Sequence, residues 1–109
     1  GLQKNAEKVG NYLIEELIKL QTKYKFIGQV RGQGLFVGIE LIHDDDVLEP
    51  NHRLAKKVVN EMKDAGILLS LDGPDHNVLK IKPPMVFNIE NANELVINLK
   101  TIFDRNYDS

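Results

Sequence analysis

The segment Leu68–Phe87, LLSLDGPDHNVLKIKPPMVF, restricts the fold more than any other stretch of the chain. An apolar run meets Asp72-Gly73-Pro74-Asp75. Each of these residue types favours a tight turn: glycine tolerates positive φ, proline presets φ, and aspartate can bond nearby backbone. A second run, Val78–Lys82, follows and stops at Pro83–Pro84. Proline has no N–H to give a strand ladder, so the run ends there. Strands joined by so short a connection pair antiparallel, since a parallel pair needs a long crossover. Lys80 and Lys82 are two residues apart and share one strand face. Two readings of them stand at this point. One is a cation held at a fixed place near an anion; the other is a pair of solvated lysines on a sheet face.

The rest of the chain supplies a second strand pair and three helices. Lys4–Lys25 is helical in pattern, with Val9, Leu13, Leu17 and Leu20 recurring at steps of three and four. Ile27–Arg31 and Leu35–Ile42 read as strands, joined by Gly32-Gln33-Gly34 in a hairpin. His43–Pro50 is a polar loop. Leu54, Val58, Val59 and Met62 mark a second helix from about Pro50 to Ala65, and Gly66 stands where a C-terminal cap glycine belongs. Ile67–Leu71 is the next expected strand, then Val78–Lys82. Asn88 is the expected N-cap of a last helix running to about Arg105, with an apolar stripe of Leu95, Val96, Leu99, Ile102 and Phe103. The order is α-β-β-α-β-β-α. It predicts an α+β fold, with a small, mainly antiparallel sheet of about four strands covered on one face by helices. No repeat, low-complexity tract or linker divides residues 1–109, so they read as a single domain. The helical pattern starts almost at Gly1 with no capping signal before it. Either the terminal helix frays, or the sequence is cut from a longer protein.

Composition removes several classes of function. Fourteen Lys and Arg against sixteen Asp and Glu leave a net charge of −2, so there is no basic surplus to grip nucleic acid. There is no cysteine. That excludes a disulfide frame, a thiolate metal site and a cysteine nucleophile. No apolar run approaches the ~20 residues that span a bilayer. The expectation is a soluble, intracellular domain with no nucleic-acid or membrane partner.

Nor do the polar motifs form a self-contained catalytic unit. A phosphate cradle at Gly32-Gln33-Gly34 would need a helix after the glycines, and here another strand follows. Asp44-Asp45-Asp46 are contiguous, whereas calcium ligands are spaced around a turn, so a solvated loop is expected and no metal site. His52 and His76 are isolated and read as surface or turn residues. Lys80 could form a Schiff base only if burial lowered its affinity for a proton; before Ile81-Lys82-Pro83-Pro84 it reads as a positioned charge instead.

Two stretches carry a family resemblance over about Asn5 to Tyr107. Ile27–Leu41, IGQVRGQGLFVGIEL, resembles the small-domain hairpin of class III aminotransferases. These are enzymes of fold type I that use pyridoxal phosphate (PLP). Leu68–Phe87 resembles more closely the phospho-lyase branch of that family, which acts on ethanolamine phosphate and 5-phosphohydroxylysine. The resemblance implies that the chain is the carboxy-terminal small domain of such an enzyme. PLP, the Schiff-base lysine and the groups that grip the cofactor would then lie in an absent large domain. The implied partners are that large domain, a second subunit of a homodimer and a small phosphorylated amine. The implied compartment is the mitochondrial matrix or the cytosol. No catalytic or cofactor-binding residue is assigned in this chain, and the isolated domain is expected to be inactive. Ordinary members carry arginine in a pattern like Arg-x-x-Pro-Pro, where it clamps the substrate α-carboxylate; this chain has Lys80 at that position. Lysine is a point charge without the planar fork that fits a carboxylate. The departure fits a substrate that presents a phosphate or lacks an α-carboxylate. The implied reaction eliminates phosphate and releases an aldehyde and ammonia. A true transaminase, of alanine–glyoxylate or ω-amino type, is the rival within the family. A free-standing α+β binding or regulatory module is the rival outside it. Docking of a large domain further predicts an exposed apolar patch.

Overall fold

A computed structural model describes residues 2–33, 36–44, 48–82 and 87–107. The first helix, α1, spans Leu2–Lys23, and its stripe of Val9, Leu13, Leu17 and Leu20 is buried. It ends two residues earlier than its pattern predicts. The Ile27 N–H bonds the Tyr24 carbonyl at 3.1 Å and turns the chain into a strand. The Tyr24 ring is buried there, stacked on Phe26 at 5.4 Å and edge-on to Phe103 at 5.5 Å. Its hydroxyl donates to the Asp104 carboxylate, which also meets the Lys23 ammonium at 3.2 Å. The Tyr24 hydrogen bond and then Lys23 hold Asp104 below the ordinary carboxylate range.

Strands β1 (Ile27–Gln33) and β2 (Phe36–Leu41) form the expected antiparallel hairpin, with β1 two residues longer than anticipated. Gly34 and Leu35, expected in the connection and the next strand, lie outside the described residues. Gly32 faces α1 so closely that a Cβ there would stand 2.7 Å from Ile14 Cδ1. Helix α2 (His52–Asp64) begins two residues after Pro50, because Asn51 is its cap: the Asn51 side chain accepts from the Leu54 N–H at 3.0 Å. Pro50 instead bridges to Ile42.

The third strand departs most from expectation. Its predicted span was Ile67–Leu71; β3 is Ser70–Asp72. The end of α2 takes the first of the missing residues. Gly66 adopts φ +85°, and the Ile67 N–H returns to the Met62 carbonyl at 2.9 Å. Ile67 therefore closes the helix instead of opening the strand. Asp72, read as part of the turn, pairs with Val78. Strand β4 (Val78–Ile81) stops one residue before Lys82. Pro83 and Pro84 lie outside the described residues. Helix α3 (Ile89–Asn106) starts at the expected cap as a capping box made by two asparagines: Asn91 N–H donates to Asn88 Oδ1 at 2.8 Å and Asn88 N–H to Asn91 Oδ1 at 3.1 Å.

The sheet is antiparallel throughout, in the order β1-β2-β4-β3. The second hairpin joins the first through β4, so β4 is interior and β3 lies on an edge. Buried Asn77 extends the β2–β4 ladder. The Leu41 N–H donates to the Asn77 carbonyl, and Asn77 Nδ2 donates to the Leu41 carbonyl, both at 2.8 Å. The Leu41 carbonyl also accepts from the Asn51 N–H at 3.0 Å, tying the end of β2 to the start of α2.

Val37, Ile39, Leu41, Leu79 and Ile81 point to one face of the sheet and are buried against Leu13 and Leu17 of α1, Val58 and Met62 of α2, and Leu99 and Phe103 of α3. Helices α1 and α2 lie on the sheet, and α3 packs against both. Burying side chains of this size is worth about 1.5–3 kcal/mol each, so this layer carries most of the stability. Among the described residues, no helix covers the opposite face.

Candidate substrate-facing surface

The uncovered face follows from the strand period. If Val37, Ile39, Leu79 and Ile81 point inward, Phe36, Gly38, Glu40, Val78 and Lys80 point outward. The ladder then sets neighbours across the sheet. Arg31 on β1 is opposite Gly38 on β2, Gly38 is opposite Lys80 on β4, and Lys80 is opposite Ser70 on β3. Lys80 thus lies in the middle of the sheet, flanked by a residue with no side chain and one with a small hydroxyl.

Its ammonium is not loose. Lys80 Nζ is 3.2 Å from Asp72 Oδ2, one step diagonally across β3. The Lys80 side chain is 34% exposed and that of Asp72 58%. The backbone N–H of Gly73, and then Lys80, hold the Asp72 carboxyl below its ordinary range. Gly73 itself sits at φ +84°, a conformation that favours glycine. Lys82, on the same side, places its ammonium 5.9 Å from the centre of the exposed Phe36 ring, within cation–π reach. The two lysines share a face, as their spacing predicts, and have different partners.

Asp72 is the residue that sequence reasoning missed. Its place in Asp-Gly-Pro-Asp marks a turn, and nothing local says that it pairs with a strand and faces Lys80. The signal lay in the spacing of Asp72 and Lys80 about the turn, and only the register decodes it.

The other sequence candidates do not gather here. His52 and His76 meet each other on the surface, with the His52 ring Nδ1 2.9 Å from the His76 carbonyl. Among the described residues, no group of His, Cys, Asp or Glu could hold a metal ion. Asp45 and Asp46 lie outside those residues. Exposed large apolar residues are spread over several elements: Ile18 on α1, Phe36 on β2, Ile97 on α3, and Leu48 and Leu68 in loops. A concavity of about 360 Å³ lies between the start of α2 and the end of α3, lined by residues including Arg53, Lys57 and Tyr107. None of Arg31, Asp72 or Lys80 lines it. No described helix is long and apolar enough to cross a membrane.

PLP needs a lysine amine that can be freed of its proton and a cradle for the cofactor phosphate. Lys80 is one-third exposed, and its side-chain nitrogen lies 3.2 Å from the Asp72 carboxylate rather than in a sealed pocket. Gly32 lies within β1, and the next element is strand β2 rather than a helix whose N-terminus could face a phosphate. Neither Lys80 nor the first hairpin therefore offers PLP a site of that kind.

Similarity to known proteins places this surface in context. Alanine–glyoxylate aminotransferase 2-like of Drosophila melanogaster is 48% identical over 92% of the chain. Ethanolamine-phosphate phospho-lyase homolog 1 of Caenorhabditis elegans is 42% identical over 93% of the chain. The chain covers 20% and 22% of those proteins, about one fifth of their length. A phospholyase from Arthrobacter, solved with phosphoethanolamine, superposes on 94% of the chain with a TM-score of 0.91 and 36% identity; the chain spans 24% of it. The family model for class III aminotransferases matches residues 1–103, and the chain belongs to that family.

Proposed function

We propose that this chain is the carboxy-terminal small domain of a PLP-dependent phospho-lyase. The enzyme would remove phosphate from phosphoethanolamine or 5-phosphohydroxylysine and, with water, release an aldehyde and ammonia. PLP, the Schiff-base lysine and a second subunit belong, on this reading, to residues outside this chain. The role of the chain is to close one side of the active site and to present Lys80 toward the anionic end of the substrate.

One observation carries the reading. Lys80 projects from an interior strand onto the uncovered sheet face, and on the family resemblance it takes the position of a carboxylate-clamping arginine. A residue meant only for solubility needs no such central position. A lysine offers no bidentate fork, so the site is poorly suited to an α-carboxylate and better suited to a phosphate, whose charge a point cation can meet from any side. The likeness to a phospholyase solved with phosphoethanolamine supports the same substrate class.

The 48% identity to a protein named as an aminotransferase favours a second reading, amino transfer to a keto acid. The complete enzyme separates the two. Phosphate released from phosphoethanolamine or phosphohydroxylysine without a keto acid supports the lyase. Amino transfer that requires a keto acid and frees no phosphate supports the transaminase.

A further inference from the structure

The Lys80 ammonium already has a partner. Asp72 Oδ2 lies 3.2 Å away, on the shorter of the two side chains. Asp72 ends β3, bonds the Gly73 N–H and leads into a turn. Lys80 is the movable member, with an ammonium on a flexible four-carbon stem. Its row neighbours Gly38 and Ser70 put little bulk beside that stem. Any anion that reaches Lys80 must compete with a carboxylate or share the ammonium with it.

We infer that Asp72 is a specificity-determining positioning residue. It acts as a resident counter-anion that withholds Lys80 from monoanionic carboxylates and yields it to a phosphate dianion. The inference rests on the reading that Lys80 faces the substrate. The reason is a balance of exchange. Replacing one carboxylate by another on the same ammonium gains no net charge interaction, while the entropy cost of association remains. A phosphomonoester carries about −1.5 to −2 charges at pH 7 and three acceptor oxygens, so it gains where a carboxylate does not. An α-carboxylate is thereby refused at Lys80, while a phosphate on the same or another substrate is accepted there.

The complete enzyme provides the test, with acetate and inorganic phosphate as probes. Inhibition by each anion, and the thermal shift each produces, is measured for wild type, Asp72→Asn, Asp72→Glu, Lys80→Gln and the Asp72→Asn/Lys80→Gln double variant. In wild type, phosphate should bind at least tenfold more tightly than acetate. Asp72→Asn should tighten acetate binding by about tenfold. Asp72→Glu should restore the wild-type selectivity, and Lys80→Gln should erase the gain. Acetate binding that is unchanged in Asp72→Asn, or a gain that survives in the double variant, overturns the inference. The substrate-facing reading fails separately. If Lys80→Gln alone leaves phosphate binding unaltered, Lys80 does not face the anion. If Lys80→Gln weakens phosphate binding but Asp72→Asn changes nothing, Lys80 stands and only the role of Asp72 falls.

Discussion

The two faces of the four-stranded sheet are built from the same strands and obey different rules. Leu79 and Ile81 alternate with Val78 and Lys80 along β4, and Val37, Ile39 and Leu41 with Phe36, Gly38 and Glu40 along β2. The first set is buried under three helices. The second carries an ion pair, an exposed aromatic ring and, at Gly38, a position without a side chain that Val78 crowds. A one-residue slip of register would exchange them, so the apolar face is also what aims Lys80 outward. The lesson is that the inner face determines where the outer face points, while the outer face has little part in stability.

Neighbouring residues can break that division most sharply. Leu79→Ala should cost about 2–5 kcal/mol, read by denaturant or thermal unfolding, because it leaves a cavity in a sealed core. Lys80→Ala should shift the same unfolding curve little, since exposed ion pairs are worth at most about 1 kcal/mol. In the complete enzyme, however, Lys80→Ala should lower kcat/KM for a phosphorylated amine by tenfold or more, about 1.4 kcal/mol or greater in transition-state binding. Unchanged kinetics would remove Lys80 from the substrate site. Equal destabilisation by both variants would erase the distinction between the faces.

Smaller effects sharpen the inner side of the comparison. Asn77→Ala should cost about 0.5–1.5 kcal/mol, because it removes a buried hydrogen bond to the Leu41 carbonyl, which keeps the Asn51 N–H as a partner. Asn88→Ala should cost about 1 kcal/mol by opening the capping box of α3. The smallest effect depends on pH. The folded state holds Asp104 below the ordinary carboxylate range through the Tyr24 hydroxyl, then Lys23, with Lys100 also nearby. The stability this contributes is present above the unfolded value of about 4 and is lost as pH falls through the lower folded value. Asp104→Asn should therefore flatten the acid limb of stability below about pH 4, measured by unfolding at stepped pH. An unaltered acid limb would show that the Tyr24–Lys23–Asp104 cluster adds nothing to folding.

Legibility followed locality. Helix stripes such as Val9-Leu13-Leu17 and caps such as Asn88 and Gly66 were readable because their determinants lie within four residues of each other. The third strand was misplaced because two local signals competed. Ile67–Leu71 is apolar enough for a strand, yet the positive φ of Gly66 draws Ile67 back onto α2. The candidate site was half legible. Lys80 stood out by its place before the prolines, whereas Asp72 was hidden inside a turn motif.

By itself, the sequence determined the types and order of the elements, the antiparallel hairpins, the apolar residues of the core and the odd lysine. These depend on backbone preference and on periodicity, both local properties of the chain. Tertiary structure alone decided that β2 pairs with β4, that β3 is the edge, and that Lys80 stands between Gly38 and Ser70 with Asp72 at its ammonium. Those facts depend on which strands meet and in what register. The burial of one whole face sets that register, and no single segment of the chain contains it.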